Sequence, residues 1–158
     1  MKLRIYLAGA IRDGRAEDIE WRERIISDLA GMATWLNPLG DRWYDPHTGH
    51  WSMSGITPSA SIIVPHDFWM VEHSDIIIFN LTAMAEGYPN IGTLVEFGHA
   101  TALHPRPLLY TVTSQPQRLH PFLSESSAAV FGFMVTLTDF LRRHLPVLEG
   151  SQPRFATR

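Results

Sequence analysis

Cysteine is absent from the 158-residue chain, which removes a disulfide framework, a thiolate metal site and a cysteine nucleophile together. Positive charge is also scarce: thirteen lysines and arginines face sixteen acidic residues, for a formal net charge of -3. A protein that tracks a phosphate backbone needs a basic stripe, so no nucleic-acid polymer is expected as a partner. Nowhere does an apolar run approach the ~18 residues of a membrane span. The opening MKLRIYLAGAIRDGR is too weakly apolar for a secretory signal, and the expectation is a cytoplasmic protein with no membrane partner. Several catalytic signatures are missing as well. There is no Gly-x-Ser-x-Gly elbow, no Gly-Lys-Ser/Thr phosphate loop and no Gly-x-Gly-x-x-Gly. His47-x-x-His50 has no third ligand at a recognisable spacing, so no metal site is expected.

What remains is 45% hydrophobic and free of internal repeats, enough for one domain over residues 1–149 and a flexible tail over 150–158. An apolar run over 3–8, ended by Gly9, predicts a buried strand and a tight turn. From Glu17, Ile19, the aliphatic stem of Arg22, Ile25, Ile26, Leu29 and Ala33 follow helical spacing. Asp18, Glu20, Glu23 and Arg24 take the opposite face. A second strand is expected over 33–36, stopped by Asn37-Pro38. Residues 37–58 hold glycines, prolines, Trp43, Tyr44 and Trp51 without a period, and read as a long loop that is either a functional lid or a packed edge. A helix over 59–73 should kink or split at Pro65. Asp75-Ile-Ile-Ile-Phe-Asn80 is β-branched and continuous, the pattern of a strand buried on both faces. A loop over 81–91, a helix over 93–103, strands over 108–113 and 128–133 and a helix over 137–145 complete the chain. Strands alternating with helices predict an α/β fold, an open doubly wound sheet of about five mainly parallel strands flanked by helices. Such sheets carry their sites beyond the carboxyl ends of the strands, here the loops 9–15, 37–58 and 81–93.

Three constellations could carry chemistry. Gly92-Thr93-Leu94-Val95-Glu96-Phe97-Gly98-His99-Ala100 contains Thr-x-x-Glu, which is a capping box if Thr93 and Glu96 satisfy each other's backbone N–H groups. The alternative places the Glu96 carboxylate in a helix's first turn, ionised and ready to act as nucleophile or base. Gly9-Ala10-Ile11-Arg12-Asp13-Gly14-Arg15 is either an anion-binding loop or a tight turn with solvated arginines. Tyr6, at the end of the same strand, reaches Glu96 if that strand neighbours the central one. Asp67, among His66, Phe68 and Trp69, is either a proton donor in an apolar site or an ordinary helix-surface acid. Asp75 reads as structural.

Together these segments resemble the nucleoside 2-deoxyribosyltransferase family. The resemblance rests on Tyr6-Leu-Ala-Gly9, on Asp67 through Asp75-Ile-Ile-Ile-Phe-Asn80-Leu81, and on Pro89-Asn90-Ile91-Gly92-Thr93-x-x-Glu96-x-Gly98-x-Ala100. It implies a flavodoxin-like sheet and a homo-oligomer with shared active sites. No cofactor is implied, and the partners would be a nucleoside or nucleotide and a free nucleobase. Glu96 would attack C1′, Tyr6 would orient it, and Asp67 would manage protons. Gly92, Thr93 and Asn90 would line the substrate site, with Asn90 standing where transferases of the family usually carry an Asp. An amide hydrogen-bonds a base but supplies no proton to it. Gly9, Ala10, Ile11 and Arg12 are similar to the phosphate loop of a sister group, the deoxynucleoside 5′-monophosphate N-hydrolases. That group usually has a Ser at the position of Asn90. Two readings follow: transfer of deoxyribose between bases, or hydrolysis of a 5′-monophosphate to base and sugar phosphate. Trp43, in the loop that ends near Trp51, is the expected base-side wall, and residues 124–127 are expected to reach a neighbour's site.

Overall fold

A computed structural model describes residues 2–12, 15–40, 42–45, 50–53 and 59–150. The apolar run near the amino terminus forms β1 (Arg4–Gly9), followed by α1 (Glu17–Asp28), β2 (Thr34–Leu36) and a pair of short strands, β3 (Arg42–Asp45) and β4 (His50–Met53). Then come α2 (Ala60–Glu72), β5 (Ile76–Asn80), α3 (Thr82–Ala85), α4 (Ile91–Ala102) and β6 (Leu108–Val112). A 3₁₀ turn (Pro116–Arg118), α5 (Pro121–Ser126), β7 (Ala129–Phe131) and α6 (Met134–Gly150) close the chain.

Five strands form one sheet in the order β2-β1-β5-β6-β7, and every pairing is parallel. Counted in chain order within the sheet, this is the doubly wound order 2-1-3-4-5. β5 is central, and Ile76, Ile77, Ile78 and Phe79 are all but inaccessible to solvent, as a strand covered on both faces must be. The pleat divides the core in two. Leu3, Ile5, Leu7, Ile76 and Ile78 pack with Ile25 of α1, Leu29 just after it, and Leu137, Leu141 and Leu145 of α6. Tyr6, Ala8, Ile77 and Phe79 face the other way, against Met70 and Val71 of α2, Phe97 and Ala100 of α4 and Leu123 of α5. Each such side chain contributes about 1.5–3 kcal/mol of transfer free energy. Asp75 is structural: its Oδ2 accepts the Arg4 backbone N–H at 2.8 Å and ties the start of β5 to β1.

Several sequence expectations change. Residues 37–58 contain an antiparallel hairpin, β3 against β4, with Trp43 opposite Ser52 and Tyr44 opposite Trp51. Four-residue strands are too short for a period to stand out, although their aromatics favour extended structure. The loop over 81–91 includes the single turn α3. Pro65 lies inside α2 without splitting it. α4 begins at Ile91 rather than Thr93, and α6 runs from Met134 to Gly150, well beyond the predicted core. Gly150 therefore ends a helix, and residues 151–158 of the expected tail lie outside the described residues. On α1, Glu20, Glu23 and Arg24 are exposed as expected, but Asp18 and the whole of Arg22 are buried. Arg22 is held by carbonyls at the end of β1 and Asp18 by donors of Arg12 in the loop that follows, partners that a helical wheel does not show.

Leu7 faces the α1/α6 half of the core and is fully buried. Leu7→Ala should cost about 2–5 kcal/mol. The urea midpoint would fall at constant m; an unchanged midpoint would count against this packing.

Candidate active site

The strand order reverses between β1 and β5, because β2 lies on one side of β1 and the rest of the sheet on the other. A crevice opens at such a point, beyond the carboxyl ends of the two strands. Here it is a cavity of about 220 Å³, walled by Gly9, Ala10 and Ile11 after β1 and by Asn90, Gly92 and Thr93 at the start of α4. Tyr6, Asp67 and Glu96 point into it. Three chain segments far apart in sequence thus converge as expected. Pro38, Tyr88 and Ile91 complete the lining. None of the three was named as a site residue, although Pro38 lies in the loop after β2 and Tyr88 and Ile91 in the expected loop 81–93 after β5, both marked by their position.

Tyr6 donates its phenolic O–H to Glu96 Oε1 at 2.7 Å. The contact depends on the β1–β5 pairing, which sets Tyr6 beside Ile77 on the face that α4 covers. Burial first, and then the nearby negative charges of Glu96 and Asp67, hold the Tyr6 phenol well above its ordinary pKa; only Arg22 opposes them. A phenol so placed stays protonated and donates, which fixes one carboxylate oxygen of Glu96 and leaves the group ordered. Asp67 comes from α2, with Oδ1 3.1 Å from His66 Nδ1. Two carboxylates and a phenol therefore share one small cavity, fit for nucleophilic attack with proton transfer close by.

The capping-box reading of Thr93 and Glu96 does not hold. The residue before α4 is Asn90, in the left-handed conformation at φ 51°, where asparagine is among the most tolerated residues. Thr93 donates to Asn90 Oδ1 at 3.0 Å, and Glu96 falls in the helix's second turn, past the strongest field of its amino terminus. Asn90 is buried, and its amide nitrogen lies 3.5 Å from the Asn80 carbonyl oxygen. Its side chain braces the β5–α4 connection while one edge lines the cavity. Gly9 sits in close packing: a Cβ there would lie 3.2 Å from Asn80 Cβ, the Asn80 carbonyl oxygen and the Trp21 ring, so a side chain would push these neighbours back by a few tenths of an ångström. At Gly92 a Cβ would meet nothing within 4 Å, so a side chain would occupy open space at the cavity wall.

Arg12 is not brought to this cavity. Its Nε and one terminal nitrogen donate to the two oxygens of Asp18 at 2.9 and 2.7 Å, and the other terminal nitrogen reaches Glu86 at 3.3 Å. The Asp18 hydrogen bonds in particular hold the guanidinium charged, far above its ordinary pKa. The Arg12 backbone N–H also goes to Asp18, at 2.8 Å. Arg12 lines a larger neighbouring cavity of about 320 Å³ on the α1/α6 side of the sheet, with Glu17, Asp18 and Glu86. That cavity shares only Ala10 with the first and contains none of Tyr6, Asp67 and Glu96. The Trp43 side chain, and residues 13 and 14, lie outside the described residues. Ser127, in the segment expected to reach a neighbour, is 2.7 Å from Thr111 Oγ1 of its own β6.

Asp18 and Arg22 are the residues that sequence reasoning missed. The available signal was an arginine on the core-facing stripe of a helix, since a buried cation needs partners from elsewhere. Among the described residues no group of three or more potential ligands is arranged to hold a metal ion, and no helix is long and apolar enough to cross a membrane.

The state of Tyr6 can be checked by titration. Tyr6→Phe should leave the phenolate absorbance of the native protein unchanged up to about pH 11. A step lost near pH ~10 in the variant would show that Tyr6 ionises like an exposed phenol.

No curated protein matches the chain by sequence. Among solved structures it is similar to the 2-deoxyribosyltransferase of the psychrotolerant bacterium Bacillus psychrosaccharolyticus, at 16% identity and a TM-score of 0.64 over 90% of this chain and 95% of that one. It is also similar to the 2-desoxiribosyltransferase of Leishmania mexicana, at 18% identity and a TM-score of 0.65 over 90% and 98% of the two chains. A CMP N-glycosidase of Clostridium botulinum follows at 16% identity and a TM-score of 0.56, over 89% and 98%. At these identities the likeness establishes the fold. The family profile described as nucleoside 2-deoxyribosyltransferase matches residues 5–139, the stretch that includes Tyr6, Asp67, Asn90 and Glu96, and the chain belongs to that family.

Proposed function

We propose that this protein cleaves the N-glycosidic bond of a 2′-deoxynucleoside and transfers the sugar to a second nucleobase. The observation that carries this reading is the Tyr6–Glu96 hydrogen bond inside a cavity that Asp67 also lines. Glu96 Oε attacks C1′ while the C1′–N bond breaks, and its electron pair leaves with the base. The result is a deoxyribosyl ester of Glu96. A nitrogen of the incoming base then attacks C1′ and releases the carboxylate. Two displacements at one carbon retain its configuration, as in retaining glycosidases. Tyr6 holds the non-attacking oxygen, which keeps the nucleophile aligned and steadies the carboxylate as it is expelled. Asp67, bonded to His66, handles the proton of the departing and incoming bases. Asn90 is braced by Thr93 and offers the base no proton, so leaving-group protonation falls to the Asp67 side of the cavity.

Nucleosides are favoured over 5′-monophosphates because Arg12, the cation that a phosphate would recruit, is already chelated by Asp18 and bonded to Glu86. Freeing it would cost a charge-assisted pair. Association of several copies with shared sites belongs to the same reading. It is supported by the exposure of Ile91 and Val95, apolar residues of α4 on the turns that carry Gly92 and Glu96.

Purified protein incubated with deoxynucleosides and an acceptor base should form a new nucleoside, resolved by chromatography. Glu96→Gln should lower the rate by at least about 10³-fold, since it removes the covalent path itself. Acid-quenched wild-type enzyme should carry a deoxyribosyl adduct on the peptide containing Glu96. Free base released from 5′-monophosphates alone would move the assignment to the hydrolase.

A further inference from the structure

β1 has more hydrogen-bonding capacity than its neighbour can satisfy. Along a strand, carbonyls alternate between the two sides. The Leu3 carbonyl accepts from Thr34 N–H of β2 at 2.9 Å, so the Leu7 and Gly9 carbonyls leave β1 on that same side. β2 ends at Leu36, and its continuation reaches Pro38, which has no N–H to give. The second half of β1, Leu7 to Gly9, therefore runs past the end of its partner strand.

Arg22 fills that place. Its side chain rises from α1 and is fully buried. Nε donates to the Leu7 carbonyl at 3.2 Å, one terminal nitrogen to the Gly9 carbonyl at 2.9 Å, and the other to the Ala10 carbonyl at 3.3 Å and to the Asp18 carbonyl. The guanidinium lies over the Trp21 ring at 4.6 Å, and the same ring packs against Gly9. Asp18, one helical turn earlier, holds the loop two residues past Ala10 through the Arg12 backbone N–H. α1 thus holds the chain on both sides of Ile11, with Arg22 on Leu7, Gly9 and Ala10 and Asp18 on Arg12, and so braces the cavity wall from behind. Tyr6, which positions Glu96, directly precedes the first carbonyl held.

We propose that Arg22 is a positioning residue of the active site, its guanidinium acting as the missing strand that sets the carboxyl end of β1 and, through it, Tyr6 and the Gly9–Ala10–Ile11 wall. This inference rests on the transferase reading for its catalytic consequence, but its structural part stands apart from it. An apolar side chain of equal volume would fill the space and leave three strand-end carbonyls without their donor. The charge is matched to the place as well. Burial pulls the Arg22 pKa down to about 10, while Tyr6, Glu96, Asp18 and Asp67 work against that shift, so the group remains a cation at neutral pH. It is the cation that opposes the upward shift of Tyr6.

The test compares wild type with Arg22→Met and Arg22→Lys, reading amide hydrogen exchange together with kcat and KM for a deoxynucleoside. Arg22→Met should speed exchange at Ala10, Ile11 and Arg12 by at least tenfold, an order-of-magnitude expectation for a loop released from its anchor, while Ile77 to Phe79 of β5 stay protected. It should also lower kcat/KM by roughly 10- to 100-fold, the cost of a misplaced catalytic wall. Arg22→Lys should recover part of both losses, because an ammonium keeps the charge and up to three N–H donors. A residue that merely fills the core predicts something else: a lower Tm, with kcat per folded molecule and loop exchange as in wild type. That outcome in folded Arg22→Met overturns the proposal. If Arg22→Met does not fold, Arg22→Lys decides, since wild-type exchange and kcat there would overturn it equally. Should the wild type turn over no nucleoside, the transferase reading fails, and the exchange measurement alone then decides the role of Arg22.

Discussion

The ladder between β1 and β5 is the constraint on which the rest of the molecule hangs. Its parallel register sets Tyr6 beside Ile77 and Gly9 beside Asn80, so both strands end at the same height. The close approach at that end makes any side chain on Gly9 a tight fit against Asn80 and Trp21. The connections that follow, one toward α1 and one toward α4, therefore depart side by side and enclose the cavity between them. A change of one residue in this register would turn Tyr6 toward α1 and separate it from Glu96. The carboxylate's alignment is in this sense a property of the sheet rather than of α4, where Glu96 has no capping role.

Around the end of that ladder six buried or half-buried ionisable groups form two sets with different tasks. Tyr6, Glu96 and Asp67 concentrate negative charge and one phenol on the α2/α4 side, with the phenol kept protonated by burial and by its anionic neighbours. Arg22, Asp18 and Arg12 lie on the α1 side, where each donor finds a carbonyl or carboxylate. The second set offsets the first electrostatically and holds the loop that both share. Buried ions of this kind stabilise little in net terms, because desolvation consumes most of the Coulomb gain. Their effect here is to determine where the end of β1 sits. The same economy explains the two cavities: one holds the reactive groups, and the larger one is bordered by a cation already bonded to Asp18 and Glu86.

Much of the architecture was legible from the chain. The uninterrupted Ile76–Phe79 run could only be a strand covered on both faces, and alternating strand and helix patterns led to the doubly wound sheet. Tyr6 was singled out near the carboxyl end of strand one, Asp67 among aromatics in the helix before the central strand and Glu96 in the helix after it, and the fold gathers them in one cavity. The misreadings share one cause. Thr93 and Glu96 have capping-box spacing, but Asn90 takes the left-handed conformation and moves the helix start, which hands Thr93 to Asn90 and Glu96 to Tyr6. Asp18 was assigned to solvent and Arg22 reduced to its aliphatic stem because helical period registers side chains and not the carbonyls of a neighbouring strand. Arg12 was free to meet a phosphate on paper and is chelated in the fold.

The sequence by itself determined the pattern of apolar strands and helices, the absence of any thiol chemistry, and the supply of a phenol on a strand and two carboxylates on helices. These are local properties, written in residue type and in periods of two and about 3.6. Only the tertiary structure decided which of these groups meet. Partner choice for a buried polar atom depends on which donors and acceptors the sheet order brings within about 3 Å, and that distance links residues as far apart as Tyr6 and Glu96. The shortness of β2 and the lack of an N–H on Pro38 could be read from the chain, but that Arg22 answers them follows only from how α1 folds back over β1.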